Sequence, residues 1–315
     1  MKHTAKAHVN IALIKYWGKK DSTWNLPLTS SLSLTLDKFY TITTVEYHKE
    51  MMEDHLYIDG NFILGEELNR VVKFMNWVRK LYGIPYFARI ESQNYVPKKA
   101  GLASSSSAFA ALALAATKAY GLDLSQIELS KLARLGSGSA ARSIYGDFAI
   151  WHEGESHDTS YAESFGKLDD IAVIVCLIDQ GEKKVDSRTA MLKLDDYPEL
   201  KETWIDTTND YIKDIKKAFK KQDFKQIGEI SQSHAELMHY IIQETGTSYL
   251  TNESFLVLDL VEKLKNQGHE IYATMDAGPN IKILVKKDAI KDVLPAIEKK
   301  CKVIVCYPGN GVTSL

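Results

Sequence analysis

"PKKAGLASSSSAFAALALAA", residues 97 to 116, sets four consecutive serines between a small-residue turn and a run of alanine and leucine. A helix start leaves backbone N–H groups without intrahelical partners and carries partial positive charge, which makes it a natural seat for phosphate. Here Gly101 can take a positive φ, Ala103 adds no bulk, and Ser104, Ser105, Ser106 and Ser107 supply hydroxyl donors where the free amides point. The spacing predicts a helix to about Tyr120, stopped by Gly121. A serine-capped helix needs only one hydroxyl, and this segment alone leaves that plainer reading open.

Working outward, "PYFARIES" before the serines reads as a strand, and a second helix covers about Leu124 to Leu135. It runs into "LGSGSAARSIYGDF", residues 135 to 148, where Gly136 and Gly138 bracket Ser137, Ser139 follows, and Arg142 comes three residues later. The planar guanidinium fork suits a carboxylate or a phosphate, so this is a second candidate anion nest; a loop with a surface arginine is the alternative. Near the C-terminus, "TMDAGPNIKILV" places Asp276 after an apolar strand and before Gly278-Pro279, well placed for a cleft or simply capping a turn. At the other end, "NIALIKYWGKKD" gathers Lys15, Tyr16, Trp17 and Lys19 beside a strand, and we expect Lys15 to meet Asp276.

The remaining pattern is mixed. "SSLSLTLDKFYTITTVEY" alternates apolar and polar residues as a strand that Asp37-Lys38 is expected to turn back. Residues 197 to 242 are almost wholly helical in pattern, followed by strands at "EIYATMD", "NIKILVKK" and "KVIVCY". Clustered strands and helices predict an α+β protein of two domains, 1–180 and 181–315. His234 and His239 lie five apart, off the four-residue spacing of paired metal ligands, and are expected to be structural.

The composition narrows the function. With 41 acidic and 39 basic side chains in 315 residues the net charge is −2, and no block of like charge suggests a nucleic-acid surface. Cys176, Cys301 and Cys306 lack zinc-ligand spacing and fit a reducing compartment. No window approaches 18 apolar residues, so we expect a cytoplasmic protein without a membrane anchor.

Four segments, "NIALIKYWGK", "ESQNYVPKKAGLASSSSAFAAL", "GSGSAARSIYG" and "MDAGPN", in this order and at these spacings, closely resemble the diphosphomevalonate decarboxylase branch of the GHMP small-molecule kinases. The resemblance spans essentially the whole chain. It implies a ribosomal-protein-S5-domain-2-like N-terminal domain that binds ATP, a C-terminal α+β domain, an active site in the cleft between them, and a homodimer. It also implies ATP and Mg²⁺ as cofactors and decarboxylation of 5-diphosphomevalonate to isopentenyl diphosphate. By the same match Asp276 meets the 3-hydroxyl as base or orienting group, Lys15 lies beside it, and Arg142 grips the C1 carboxylate. Gly101, Leu102, Ala103 and Ser104 to Ser107 would cradle ATP phosphates, with Ser105 on Mg²⁺, while Ser92, Asn94 and Arg70 match positions near the nucleotide. Tyr16, Lys19, Ser137, Gly138, Ser139, Ser187 and Arg188 match substrate-binding positions.

The chain departs from the family pattern in places. Lys98 and Lys99 stand where a Thr-Ala pair is usual, Ala108 replaces a glycine, and Asp186 adds a negative charge next to Ser187 and Arg188. The last change leaves two other activities to weigh: decarboxylation of the 5-monophosphate, or phosphorylation of the 3-hydroxyl without loss of CO₂. A non-catalytic nucleotide-binding protein would be expected to have lost Asp276 or the serines, and neither is lost.

Overall fold

A computed structural model describes residues 1–96, 104–178 and 185–315. The N-terminal half contains β1 (Lys2–Ile14), a small hairpin of β2 (Lys19–Asp21) and β3 (Leu26–Pro27), β4 (Ser31–His48), β5 (His55–Ile58), β6 (Asn61–Ile63), α1 (Glu66–Tyr82), β7 (Phe87–Tyr95), α2 (Ser104–Ala119) and α3 (Gln126–Gly136). A 3₁₀ helix (Gly138–Ile144) then leads to β8 (Phe148–Trp151), β9 (Ala162–Gly166) and β10 (Ile171–Leu177). The rest comprises α4 (Ser187–Leu192), α5 (Pro198–Lys220), α6 (Phe224–Glu244), α7 (Asn252–Asn266), β11 (Ile271–Met275), β12 (Ile281–Lys286), α8 (Ile290–Glu298), β13 (Lys302–Cys306) and β14 (Thr313–Ser314).

Two main sheets result. An eight-stranded sheet runs β14-β1-β4-β7-β5-β6, with β8 and β9 branching from β4; the second sheet is antiparallel, in the order β11-β12-β10-β13. β10 belongs wholly to this second sheet, which therefore begins before residue 180, the boundary expected from the sequence. The turn expected at Asp37-Lys38 is not formed. β4 continues through it for 18 residues, pairing with β8 at Ser31–Leu34 and with β7 at Tyr40–His48. Asp37 is held from outside the strand, its N–H bonded to the Tyr307 carbonyl at 3.0 Å and its carboxylate accepting from the Tyr307 N–H at 2.8 Å. Alternation of side chains tells a strand's face but not whether a charged pair within it is bridged by a distant segment.

α2 is buried on nearly every side, and its alanines at 110, 111, 113, 115, 116 and 119 let it lie close against β1 and β4. A helix apolar around its whole circumference belongs in a core, and that core fixes where its N-terminus points. α3 starts at a capping box in which Ser125 and Glu128 bond each other's backbone N–H, worth about 1 kcal/mol. The helical tract expected over 197–242 is α5 and α6, broken at Gln222, whose φ is +54°. α7 follows it as a helix the sequence reading did not anticipate.

Candidate active site

β11 ends at Met275, and Asp276 leaves it into a tight turn closed by the Gly278 N–H on the Asp276 carbonyl at 2.7 Å. Lys15 is the first residue beyond β1, and its Nζ bonds Asp276 Oδ1 at 2.9 Å and the Ala12 carbonyl at 2.7 Å. Lys282 lies on β12 opposite Thr274, so the two-residue repeat of the strand brings it diagonally beneath Asp276, with Nζ 3.0 Å from Oδ2. Each carboxylate oxygen thus has its own ammonium. Both lysines are inaccessible to solvent, whereas the Asp276 side chain keeps 22% exposure and opens into a cavity. Burial pushes the Asp276 carboxyl up, but Lys15 and Lys282 outweigh it and hold the group well below the usual carboxylate range. Burial lowers Lys15 to about 8, opposed by Asp276 and reinforced by Lys282.

α6 supports this trio from behind. His234 Nδ1 accepts the Lys15 N–H at 2.9 Å, which leaves Nε2 to carry the proton and donate to Thr208 Oγ1 at 2.9 Å. His239 Nε2 donates to the Asp276 carbonyl at 3.1 Å. Burial, with Lys15 adding its charge, lowers His234 to about 3 and His239 to about 4, so both are neutral fixtures. The expectation that they are structural holds, yet what they hold is the backbone of the two ion-pair partners.

The 3₁₀ helix delivers Arg142 to the same cavity, where its guanidinium donates to Ser31 Oγ and reaches Asn10 Oδ1 at 3.5 Å. Asn10 is oriented in turn by donating to the Ser139 carbonyl at 3.0 Å and to Ser143 Oγ at 2.7 Å. Arg142 is 2% exposed, and burial lowers its pKa to about 10 while Asp276 works against that fall. Its Nε is buried without a hydrogen-bond partner, and the residue lines the space in front of Asp276, to which it brings a buried positive charge.

That space is a cavity of about 290 Å³, and among its lining residues are Lys15, Tyr16, Lys19, Ser137, Gly138, Ser139, Arg142, Ser187, Arg188 and Asp276, all named above as candidates. Gly138 is required by close approach: a Cβ there would lie 2.9 Å from the Tyr16 ring and 2.8 Å from Trp151. Asp186 itself does not line the cavity. Its carboxylate caps α4, accepting from the N–H groups of Arg188 and Thr189 and from the Thr189 hydroxyl at 2.6 Å.

A second cavity, of about 150 Å³, is lined by Arg70, Ser92 and Asn94 and shares Ser104 and Ser105 with the first. A row of hydroxyls crosses the junction, Ser105 to Ser137 at 3.1 Å and Ser137 to Ser139 at 3.3 Å. The expectation of four cradling hydroxyls is corrected here. Ser106 and Ser107 are wholly buried, and Ser107 Oγ is engaged with Thr41 Oγ1 and the Ser104 carbonyl, because successive helical residues point about 100° apart and only one arc faces the cavity. Gly101, Leu102 and Ala103 lie outside the described residues. Among the described residues no group of three His, Cys, Asp or Glu could hold a metal ion. A magnesium ion would fit as it does where phosphate oxygens supply most ligands, with Ser105, which lines both cavities, supplying a hydroxyl.

Lys282, Asn10 and Asn25 also line or support the site and were not singled out from the sequence. Lys282 had a readable signal: a lysine between Ile281 and Ile283 in a strand apolar on both faces must go inside and find a counter-charge.

Comparison with known proteins agrees with this geometry. Residues 7–162 match the diphosphomevalonate decarboxylase-like N-terminal domain, and residues 173–307 match the mevalonate 5-diphosphate decarboxylase C-terminal domain. The diphosphomevalonate decarboxylase of Ganoderma lucidum is 32% identical over 324 residues, covering 94% of this chain and 81% of its own length. The crystal structure of mevalonate diphosphate decarboxylase from Staphylococcus aureus is 40% identical with a TM-score of 0.96, covering 100% of this chain and 98% of its own. A second solved structure, in complex with MVAPP, AMPPCP and magnesium, is 39% identical with a TM-score of 0.96, covering 100% and 99% of the two chains.

Proposed function

The chain belongs to the diphosphomevalonate decarboxylase family, and from that membership we propose how its own residues divide the reaction among them. The enzyme converts ATP and 5-diphosphomevalonate to isopentenyl diphosphate, carbon dioxide, phosphate and ADP. A tertiary alcohol leaves poorly, so the 3-hydroxyl is first made into a phosphate ester. Asp276 accepts the hydrogen bond of that hydroxyl and aims its oxygen at the γ-phosphoryl group. A carboxylate held between two ammonium groups is a weak base, so it orients first and takes the proton only as the O–P bond forms. Lys15 keeps the carboxylate ionised and, at the phosphoryl end, offsets charge that develops in transfer.

Arg142 binds the C1 carboxylate through its guanidinium, a buried cation in the cavity wall. When the C3–O bond breaks and phosphate leaves, the electrons of the C1–C2 bond become the C2=C3 double bond and C1 departs as CO₂. By holding C1 in one orientation, the guanidinium keeps the breaking bond aligned with the electron-deficient C3. Tyr16, Lys19, Ser139, Ser187 and Arg188 face the substrate's diphosphate, and Asp186, which caps α4, is not among the residues lining that cavity. Ser104, Ser105, Ser92, Asn94 and Arg70 take the nucleotide from the second cavity. Magnesium, when bound, neutralises phosphate charge, with Ser105 as its protein ligand.

The observation that carries this reading is a single cavity lined by both the Asp276–Lys15 pair and Arg142. A kinase acting on the alcohol alone has no use for the second. Purified protein with ATP and Mg²⁺ is offered mevalonate, its 5-phosphate or its 5-diphosphate while CO₂ and ADP are recorded separately. The diphosphate is expected to release both in equal amounts; ADP without gas would replace this reading with the kinase, and gas from the monophosphate alone would change the substrate. The domain boundary belongs between residues 166 and 171, ahead of β10, because that strand joins the second sheet. A homodimer is the reading that the resemblance supports, and a cytoplasmic location the one that three free thiols support. No helix among the described residues is long and apolar enough to cross a membrane. Light scattering and cell fractionation test the two points.

A further inference from the structure

The hairpin that carries Lys19 is fastened to the end of α3. β2 and β3 pair Lys19 with Pro27 and Asp21 with Leu26. The loop between them closes at Asn25, whose φ of +50° lies in the left-handed region that asparagine tolerates better than most residues. The Asn25 side chain is buried. Its Nδ2 donates to the carbonyls of Arg134 at 3.0 Å and Leu135 at 3.1 Å, and its Oδ1 accepts from the Lys19 ammonium at 2.8 Å. Arg134 closes the loop from the other side, donating from Nε to the Trp24 carbonyl at 3.1 Å. The next carbonyl of the helix, that of Gly136, accepts from Arg188 at 3.2 Å. A helix C-terminus presents unpaired carbonyls and partial negative charge, both of which favour cations. The end of α3 therefore anchors Arg188 directly and Lys19 through an intermediary.

We propose that Asn25 is a positioning residue for diphosphate recognition: its amide joins the end of α3 to the Lys19 ammonium and sets where that ammonium meets the anionic end of the substrate. The proposal rests on the reading that Lys19 faces the diphosphate. Lys19 shares its surroundings with Arg188, Lys73 and Arg70, which repel it. Without the Asn25 acceptor the ammonium turns away from that cluster. Only a side chain that both donates and accepts can bridge carbonyls to an ammonium; aspartate would set oxygens against the Arg134 and Leu135 carbonyls, and an apolar residue would bridge neither.

Asn25→Gly is the primary variant, because glycine keeps the left-handed backbone while the amide is lost. Its KM for the diphosphate substrate is expected to rise about ten-fold, as for loss of a hydrogen bond to a charged group, with kcat within about two-fold and the KM for ATP unchanged. Asn25→Ser, too short to bridge, gives the same reading should the glycine variant fail to fold. Lys19→Met is expected to raise the same KM, and Lys19→Met combined with Asn25→Gly to be no worse than Lys19→Met alone, since nothing remains to be positioned. An unchanged KM in Asn25→Gly and Asn25→Ser, or additive losses in the double variant, overturns the role of Asn25 while leaving Lys19 in place. An unchanged KM in Lys19→Met removes Lys19 from the diphosphate site, and the proposal with it.

Discussion

Lys15 and Asp276 are separated by 261 residues of chain and meet at 2.9 Å, one following the first strand of the N-terminal sheet and the other following an edge strand of the second. The pair thus forms a joint between the two sheets.

Replacing Asp276 by asparagine keeps the shape and removes the charge. Phosphoryl transfer is expected to fall by about 10²- to 10⁴-fold, the usual contribution of a positioned proton-handling group, while ATP binding persists. ADP release under saturating substrate and nucleotide binding by fluorescence titration separate the two effects. A near-normal rate of ADP release would show that another group meets the 3-hydroxyl.

Lys282→Met removes the second ammonium from beneath Asp276 but leaves Lys15 in place. With one of its two opposing charges gone, the buried carboxylate is held less firmly, and kcat is expected to fall about ten-fold or more with little change in either KM. Loss of a partner from a buried ion pair also costs stability, so the thermal midpoint should drop. A variant with unaltered kcat would make Lys282 a scaffold residue only.

The two α6 histidines predict an acid limit to stability. Both are depressed from an ordinary value of 6.5, His234 to about 3 and His239 to about 4. Below pH 6.5 the unfolded chain takes up protons that the folded chain refuses, so stability is lost as pH falls from 6.5 toward 4. Each histidine contributes a slope of about 1.4 kcal/mol per pH unit in that window. Urea midpoints between pH 7.5 and pH 4.5 measure it, and His239→Gln should flatten the slope; the same slope in that variant would assign the effect elsewhere.

Burial, together with Arg188, Lys73 and Arg70, lowers Lys19 to about 8. The ammonium is present below that pH and lost above it, so the KM for the diphosphate substrate is expected to rise as pH passes 8 while the KM for ATP rises less. A pH series of the two constants from about 6.5 to 9.5 decides it. A flat substrate KM would mean that Lys19 stays charged throughout or does not touch the anion.

The helix at the serines, the glycine-bracketed turn before Arg142 and the acid at a strand end were all legible, because each rests on local chemistry: free amides at a helix start, a backbone that must turn, a carboxylate where an apolar run stops. The resemblance carried by four such segments then placed Lys15, Arg142 and Asp276 in one site, and the cavity contains all three. Tertiary structure decided which serines look into the cavity and which look into the core, because that depends on how a buried helix is rotated against its sheet. It decided that Asp37-Lys38 is bridged by Tyr307 instead of turning, that Asp186 caps a helix, and that Asn25 reaches the end of α3. Above all it put a second lysine on Asp276 and two neutral histidines behind the pair, since strand pairing and helix packing join residues hundreds of positions apart and a linear pattern carries no record of such neighbours.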